Sequence, residues 1–308
     1  MFKNLNIGPK ILLAFAVIAI VTVAIIALLS FSIAQMHGES ESFAKLTAVR
    51  EMKANQIEDY FQIISDQLIT QSEDRMIVEA MRDFSTGYQA IEGEVPLTDD
   101  MVPALSEYYQ NEFLERLIPN LLREVTIEEY LPQNEAATIL QDLYITSNSF
   151  ETGSKHLLEN PGDGSNYSES HQLYHPIIRN FLEYFGYYDI FFVDLEGNIV
   201  YSVFKEVDFG TSLTEGPYKD TNFARVFRAA LESNDSKTVF VEDFEPYHPS
   251  YNAPASFMAS PIFDGEEKIG VLVFQMPIDR INNIMTNDQN WAEVGLGDSG
   301  ETYLVGPD

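Results

Sequence analysis

The sequence predicts an α+β fold, and three observations predict it. Residues 11–33 form one uncharged apolar run, apolar side chains between Ser40 and Gly186 recur at helical spacing, and at Tyr187 the pattern changes to the alternation of β-strands. These correspond to an N-terminal transmembrane helix, a long amphipathic helix with a helical insert, and a five-stranded antiparallel sheet carrying a helix.

The run "ILLAFAVIAIVTVAIIALLSFSI" is about 34 Å long as a helix, which matches a hydrocarbon layer of roughly 30 Å. Lys3 and Lys10 precede it, whereas Glu39 and Glu41 follow. Positive charge stays on the cytoplasmic side, so residues 1–10 are expected in the cytoplasm and the chain after residue 37 outside the inner membrane. A cleaved signal peptide fits less well, because its apolar core is shorter and "SFSIAQMHG" offers a poor small-residue cleavage site.

From Ser40 to about Phe84 apolar residues recur at helical spacing, Phe43, Leu46, Val49, then Ile57, Tyr60, Ile64, Leu68, and later Met76, Ile77, Ala80 and Met81, which predicts a single amphipathic helix in need of a partner. Later helices of the same chain or a second copy would serve. Thr86 to Pro103 reads as a break; "ALSEYYQNEFLERLIPNLLREV" and "NEAATILQDLYITS" read as helices of an insert. "ENPGDGSNYSES" (159–170) reads as a loop, and "HQLYHPIIRNFLEYFGYY" as a helix entered or kinked near Pro176 and stopped at Gly186.

"YYDIFFVD" and "NIVYSVFKE" then predict a hairpin across "LEGN". "GPYKDTNFARVFRAALES" holds a helix capped near Asp220 or Thr221, and "KTVFVEDFEPY", "APASFMASPIFD" and "KIGVLVFQM" supply three more strands. Near the end, "TYLVGPD" repeats the pattern of "IFFVDLEGN", so Trp291 onward is expected to begin a second copy of the module, with the chain a fragment of a longer protein.

Composition narrows the function classes. A net charge of −30 repels phosphate backbones, so no nucleic-acid partner is expected. With zero cysteines, disulfides, thiol catalysis and thiolate metal sites are excluded. "GLGDSG" (295–300) satisfies G-x-G-x-x-G but leads into a predicted strand rather than a helix, against the geometry that lets glycines approach a dinucleotide. Its "GDSG" matches a protease nucleophile loop, but a serine needs a positioned histidine base, and the barrel fold that would supply it is not apparent. His171 and His175 stand four apart, yet zinc needs at least a third protein ligand. No catalytic residue, metal or cofactor is expected.

A small-molecule ligand would use the covered face of the sheet. The alternation of the strands and the loop before the helix nominate Tyr201, Tyr218, Asp243, Tyr247, Ser256 and Met258, aromatic walls with few polar groups. Asp243 is placed to pair with a cationic group. Core packing or surface exposure accounts for each of the six equally well.

Taken together, "VREMKANQIEDYF", "SEDRMIVEAMRDF", "FGYYDIFFVDLEGNIVYSVFKEVDFGTSL", "FEPYHPSYNAPASFMASPIFD", "GVLVFQMPIDRINNIM" and "GLGDSGETYLVGPD" resemble the sensor regions of bacterial transmembrane receptors with a double Cache domain, of methyl-accepting chemotaxis type. The resemblance covers nearly everything after the membrane span. It implies two PAS-like modules outside the membrane, then a second membrane helix and a cytoplasmic output unit that in relatives is a chemotaxis domain, a histidine kinase or a nucleotide cyclase; a homodimer is the expected assembly. In these terms residues 11–33 are the transmembrane helix, 38–186 the long helix and insert, 187–285 the membrane-distal PAS-like Cache module, and 291–308 the start of the second. Amino-acid-binding members share a Tyr, Arg, Trp, Tyr cluster followed by a Tyr and an Asp. Here Tyr247 is one match, but "PYKDTNFARVF" supplies no Arg-x-Trp and the only tryptophan is Trp291, so an ordinary α-amino acid is not the expected ligand.

Overall fold

The computed structural model describes residues 7–291, 293–297 and 300–305. Lys3, Asp298 and Ser299 of "GLGDSG", and the final Gly306–Pro307–Asp308 turn therefore lie outside the described residues. The chain divides into two compact units, Met1–Glu58 with Asn282–Asp308, and Asp59–Ile281.

In the first unit, α1 (Ile7–Ser72) begins in the apolar run and is long and apolar enough to cross a membrane; none of its most apolar stretch is buried. Lys53 donates to the Ile284 carbonyl at 2.5 Å, and α8 (Ile278–Thr286) ends there. Glu301–Val305, read above as a strand, forms none. A strand needs a neighbour for its ladder, and no other segment pairs with these residues among those described.

The second unit is built on the sheet. β1 (Asp189–Val193) and β2 (Ile199–Ser202) form the expected hairpin; β3 (Phe240–Tyr247), β4 (Ala253–Asp264) and β5 (Glu267–Gln275) form a meander. β1 pairs with β5, giving the order β2-β1-β5-β4-β3 with every pair antiparallel. Asp194 closes the hairpin by accepting the Asn198 backbone N–H and side-chain amide, each at 2.8 Å, with Gly197 at φ 91°. Tyr201 pairs with Phe192 and shares its face, and a one-residue bulge at Val200, between the partners of Phe192 and Val193, brings Val200 to that face as well.

Both faces are covered, not one, which is why all five residues of β1 are buried. Ile190, Phe192, Tyr201, Met258, Leu272 and Phe274 pack beneath α2 (Arg75–Glu94), α6 (Asn166–Phe185) and the last turns of α1, through Ile64 and Leu68. On the opposite face, Phe191, Phe257 and Val273 meet Phe223, Val226 and Phe227 of α7 (Asn222–Glu232). That face also receives Tyr109 and Phe113 from the insert, in which α3 (Met101–Tyr108) runs through a π-helical stretch, Tyr109–Leu114, into a last turn, α4 (Glu115–Leu117). α5 (Glu135–Gln141) completes the insert, capped by Asn134, whose side chain accepts from Ala137 at 2.7 Å.

Three helix boundaries depart from the sequence reading. The amphipathic stripe is interrupted at Glu73–Asp74, where Asp74 caps a new helix by accepting the Met76 N–H at 2.8 Å. That helix, α2, continues through Thr86 to Glu94 because Tyr88 and Ile91 extend its buried face. α6 starts at Asn166 inside the predicted loop, since Ser165 accepts the Ser168 N–H at 3.1 Å as a cap. Pro176 lies within α6 without ending it, and Gly186 ends it at φ 74° by donating to the Leu182 carbonyl at 2.7 Å. Where α2 and α6 approach, Gly87 is required: a Cβ there would sit 2.9 Å from the Tyr167 Cα.

Candidate ligand-binding site

The loop after β2 decides the character of the site. Asp189, fully buried, accepts from the Ser202 hydroxyl at 2.7 Å and from the Val203 and Phe204 backbone N–H groups at 2.8 and 3.3 Å. So anchored, the chain turns through Lys205 at φ 59°. The Lys205 side chain folds inward, donates to the Ser202 carbonyl and lies 4.5 Å from the centre of the Tyr201 ring and 5.1 Å from that of Phe209. Phe204 and Glu206 are left on a wall of a cleft.

That cleft has a volume of about 380 Å³ and opens where β1 begins and β5 ends. Tyr108, Tyr188, Phe204 and Tyr251 are its aromatic walls, and Glu206, Arg116, Lys155 and Lys205 its charged groups. Glu206 accepts from the Tyr188 hydroxyl at 2.9 Å and from Ser250 at 3.0 Å; Gln275 holds Ser250 in turn at 3.1 Å. Burial raises the Glu206 carboxyl well above its usual range, and the neighbouring Asp208 and Asp189 raise it further.

Deeper in the protein, Asp208 accepts from the Tyr247 hydroxyl at 2.6 Å while its other oxygen and the Tyr218 hydroxyl find no partner among the described residues. Burial pushes the Asp208 carboxyl up to about 7. An acid raised in the folded state from 3.8 binds more protons there than in the unfolded chain, so its contribution to stability falls as pH rises from about 4 to about 7. Asp208→Asn removes that loss. Urea unfolding should show the variant gaining on the wild type across this window, by a few kcal/mol at about 1.4 kcal/mol per unit, with no further gain above it. A constant difference from pH 4 to 8 would contradict the assignment.

The six residues nominated from the sequence do not come together, and none lines the cleft. Tyr201 and Met258 lie under α2 and α6, with the Tyr201 hydroxyl 2.7 Å from His175 Nδ1. Tyr218 and Tyr247 lie on the opposite face beside Asp208. Ser256 is buried and donates to the Glu242 carbonyl at 2.6 Å. Asp243 is exposed on β3, without a cation against it among the described residues. The residues missed are Tyr188, Phe204, Glu206 and Tyr251, all at strand ends or in turns, where alternation stops carrying information. Clusters such as "GYYD" and "PSYN" beside predicted turns were the available signal.

His171 and His175 stack with ring centres 4.2 Å apart. His171 Nδ1 is 2.7 Å from the Glu159 carbonyl, and His175 Nε2 is 2.7 Å from the His156 carbonyl. Burial holds His171 far below the usual imidazole range and His175 down to about 2, with Lys205 adding to both. Among the described residues no group of three or more His, Asp or Glu side chains is arranged to hold a metal ion.

The architecture defines the class: a five-stranded antiparallel sheet in the order 2-1-5-4-3, with helices, is a PAS-like module, here following a long apolar helix. No protein-family model matches the chain, and no curated protein matches it either. One solved structure with which it aligns is the sensor domain of the V. cholerae histidine kinase DctB, at 15% identity and a TM-score of 0.31, over 61% of this chain and 60% of that one. The chain thus matches less than two thirds of that domain's length.

Proposed function

We propose that the chain is the extracytoplasmic ligand-sensing region of a bacterial transmembrane signalling receptor, of methyl-accepting chemotaxis type, acting as a homodimer, with a histidine kinase or nucleotide cyclase as the alternative output. In this reading residues 11–33 anchor it in the inner membrane and residues 187–285 form the sensing module. The observation that carries the proposal is the aromatic cleft at the end of a PAS-like sheet, in a chain that also has a helix fit to cross a membrane. A ligand held more tightly by one of two helix arrangements would shift their populations by that difference in affinity.

The test is a thermal-shift screen on the full chain in detergent. A ligand at 100 times its Kd should add about 2.7 kcal/mol, and Phe204→Ala and Tyr251→Ala should abolish the shift. Stabilisation indifferent to both substitutions would remove the site. A second reading draws on the sheet itself, whose two faces are filled by the chain's own side chains: a ligand-free module that only mediates dimerisation. A screen without hits, on a chain that sediments as a dimer, would favour it.

A further inference from the structure

Resting on that reading, we infer that the ligand of this cleft is a small organic cation, an alkylammonium, seated among Tyr108, Tyr188, Phe204 and Tyr251 with its charge against Glu206. The inference comes from the state of each charged group on the cleft wall. Arg116 is paired with Glu112 at 3.0 Å, and Thr152 donates to the same Glu112 oxygen at 3.1 Å. Lys155 donates to the Asn148 carbonyl at 2.8 Å. Lys205 is turned away into its own box of Tyr201, Tyr144 and Phe209. Arg116 is therefore ion-paired, and the two lysine ammoniums are turned onto backbone carbonyls rather than toward Glu206.

Glu206 differs. Its two contacts are neutral hydroxyls, those of Tyr188 and Ser250, and no cation lies within ion-pair distance of it among the described residues. Asp189 and Asp208 stand behind it and add negative potential. The same loop holds an internal version of the arrangement: the Lys205 ammonium already rests against aromatic rings in the field of Asp189. Aromatic faces attract cations through the ring quadrupole, and most strongly where water is excluded. An alkylammonium would supply the missing counter-charge, and its apolar part would cover the tyrosine and phenylalanine rings.

Binding should also release a proton. Burial, Asp208 and Asp189 raise the Glu206 carboxyl, with Tyr108, Tyr188, Tyr251 and Ser250 facing it and Arg116, Lys155 and Lys205 engaged elsewhere; a cation seated against it pulls the other way, so wherever the empty site is protonated the proton leaves to solvent as the cation binds. Affinity then rises with pH until the empty site is itself ionised.

The probes are n-butylammonium, n-butanol and n-butyrate, which share a shape and differ in charge, titrated calorimetrically into the full chain in detergent. The expected result is binding of n-butylammonium alone, with proton release evident from buffers of different ionisation enthalpy, and at least a tenfold loss in Glu206→Gln. Tyr251→Leu, which keeps an apolar wall, should weaken it about threefold or more. Equal or tighter binding of n-butanol or n-butyrate, or n-butylammonium binding unchanged in Glu206→Gln, overturns the cation assignment and leaves the sensor reading standing. The sensor reading falls separately, on a broad screen whose stabilising compounds ignore Phe204→Ala and Tyr251→Ala. Circular dichroism of each variant distinguishes lost binding from lost fold.

Discussion

Phe84→Ala should lower the unfolding free energy by about 3–5 kcal/mol. Phe84 is fully buried on α2 and stacks on Tyr201 with ring centres 4.6 Å apart and 29° between planes. Tyr167, Phe192, Tyr174 and His171 surround it at 5.4 to 6.3 Å. Truncation removes the apolar transfer contribution and leaves a void among rings that cannot all move inward, because Tyr167 is fixed by donating to the Val200 carbonyl at 2.7 Å. Tyr201, the ring most directly uncovered, is held on its far side by His175 Nδ1 at 2.7 Å. Phe84→Leu keeps most of the volume and should cost less than half as much. Urea unfolding of the three proteins checks the order. A loss under about 1 kcal/mol for alanine would mean that the site collapses and that these rings are packed more loosely than their spacings imply.

The prominence of Phe84 also marks the limit of what was legible in the sequence. Strands from Tyr187 to Gln275 could be read from alternation and turn residues because a sheet enforces a period of two on whatever it buries. The cap at Thr221 and the stop at Gly186 could be read because each satisfies a backbone group that only a few residue types satisfy. What could not be read was the second covered face. A strand buried on both sides gives a continuous apolar run, as "IFFV" does, and such a run carries no sign of which helices cover which side. The break at Glu73–Asp74 did leave a mark: Leu68 and Ile77 are nine residues apart, half a turn out of phase on one continuous helix, and two helices carry them. As for the cleft, its side chains come from the start of β1, the loop after β2, the turn after β3, and the helical insert with the loop that follows it. They converge only because the sheet order puts β1 beside β5 and because Lys205 adopts a positive φ, and neither fact is local to any of the residues concerned.

Asp189→Ala is the second large effect expected, about 3–5 kcal/mol. This carboxylate is completely buried, accepts the Ser202 hydroxyl and the N–H groups of Ile190, Val203 and Phe204, and faces the buried amine of Lys205. Removing it leaves buried donors of the Val203–Phe204 turn without their acceptor, at about 1–3 kcal/mol for each group that finds no other, and leaves the amine without its opposing charge. Two shifts then fix how the deficit depends on pH. In the wild type, burial raises the Asp189 carboxyl to about 6, so stability falls as pH rises from about 4 to about 6, and the variant, lacking the group, escapes that fall. Burial lowers the Lys205 amine to about 7 against the opposing pull of Asp189; without Asp189 it drops further, which penalises the variant only below about pH 7. Both effects have the same sign, so the deficit should be widest near pH 4 and narrower at pH 8. Replacing both partners, Asp189→Ala with Lys205→Met, should recover much of the loss, because the cost lies in stranding one buried charge rather than in lacking the pair. A deficit that widens with pH, or a double variant as unstable as the single one, would show that Asp189 acts through its hydrogen bonds alone and that Lys205 does not depend on it.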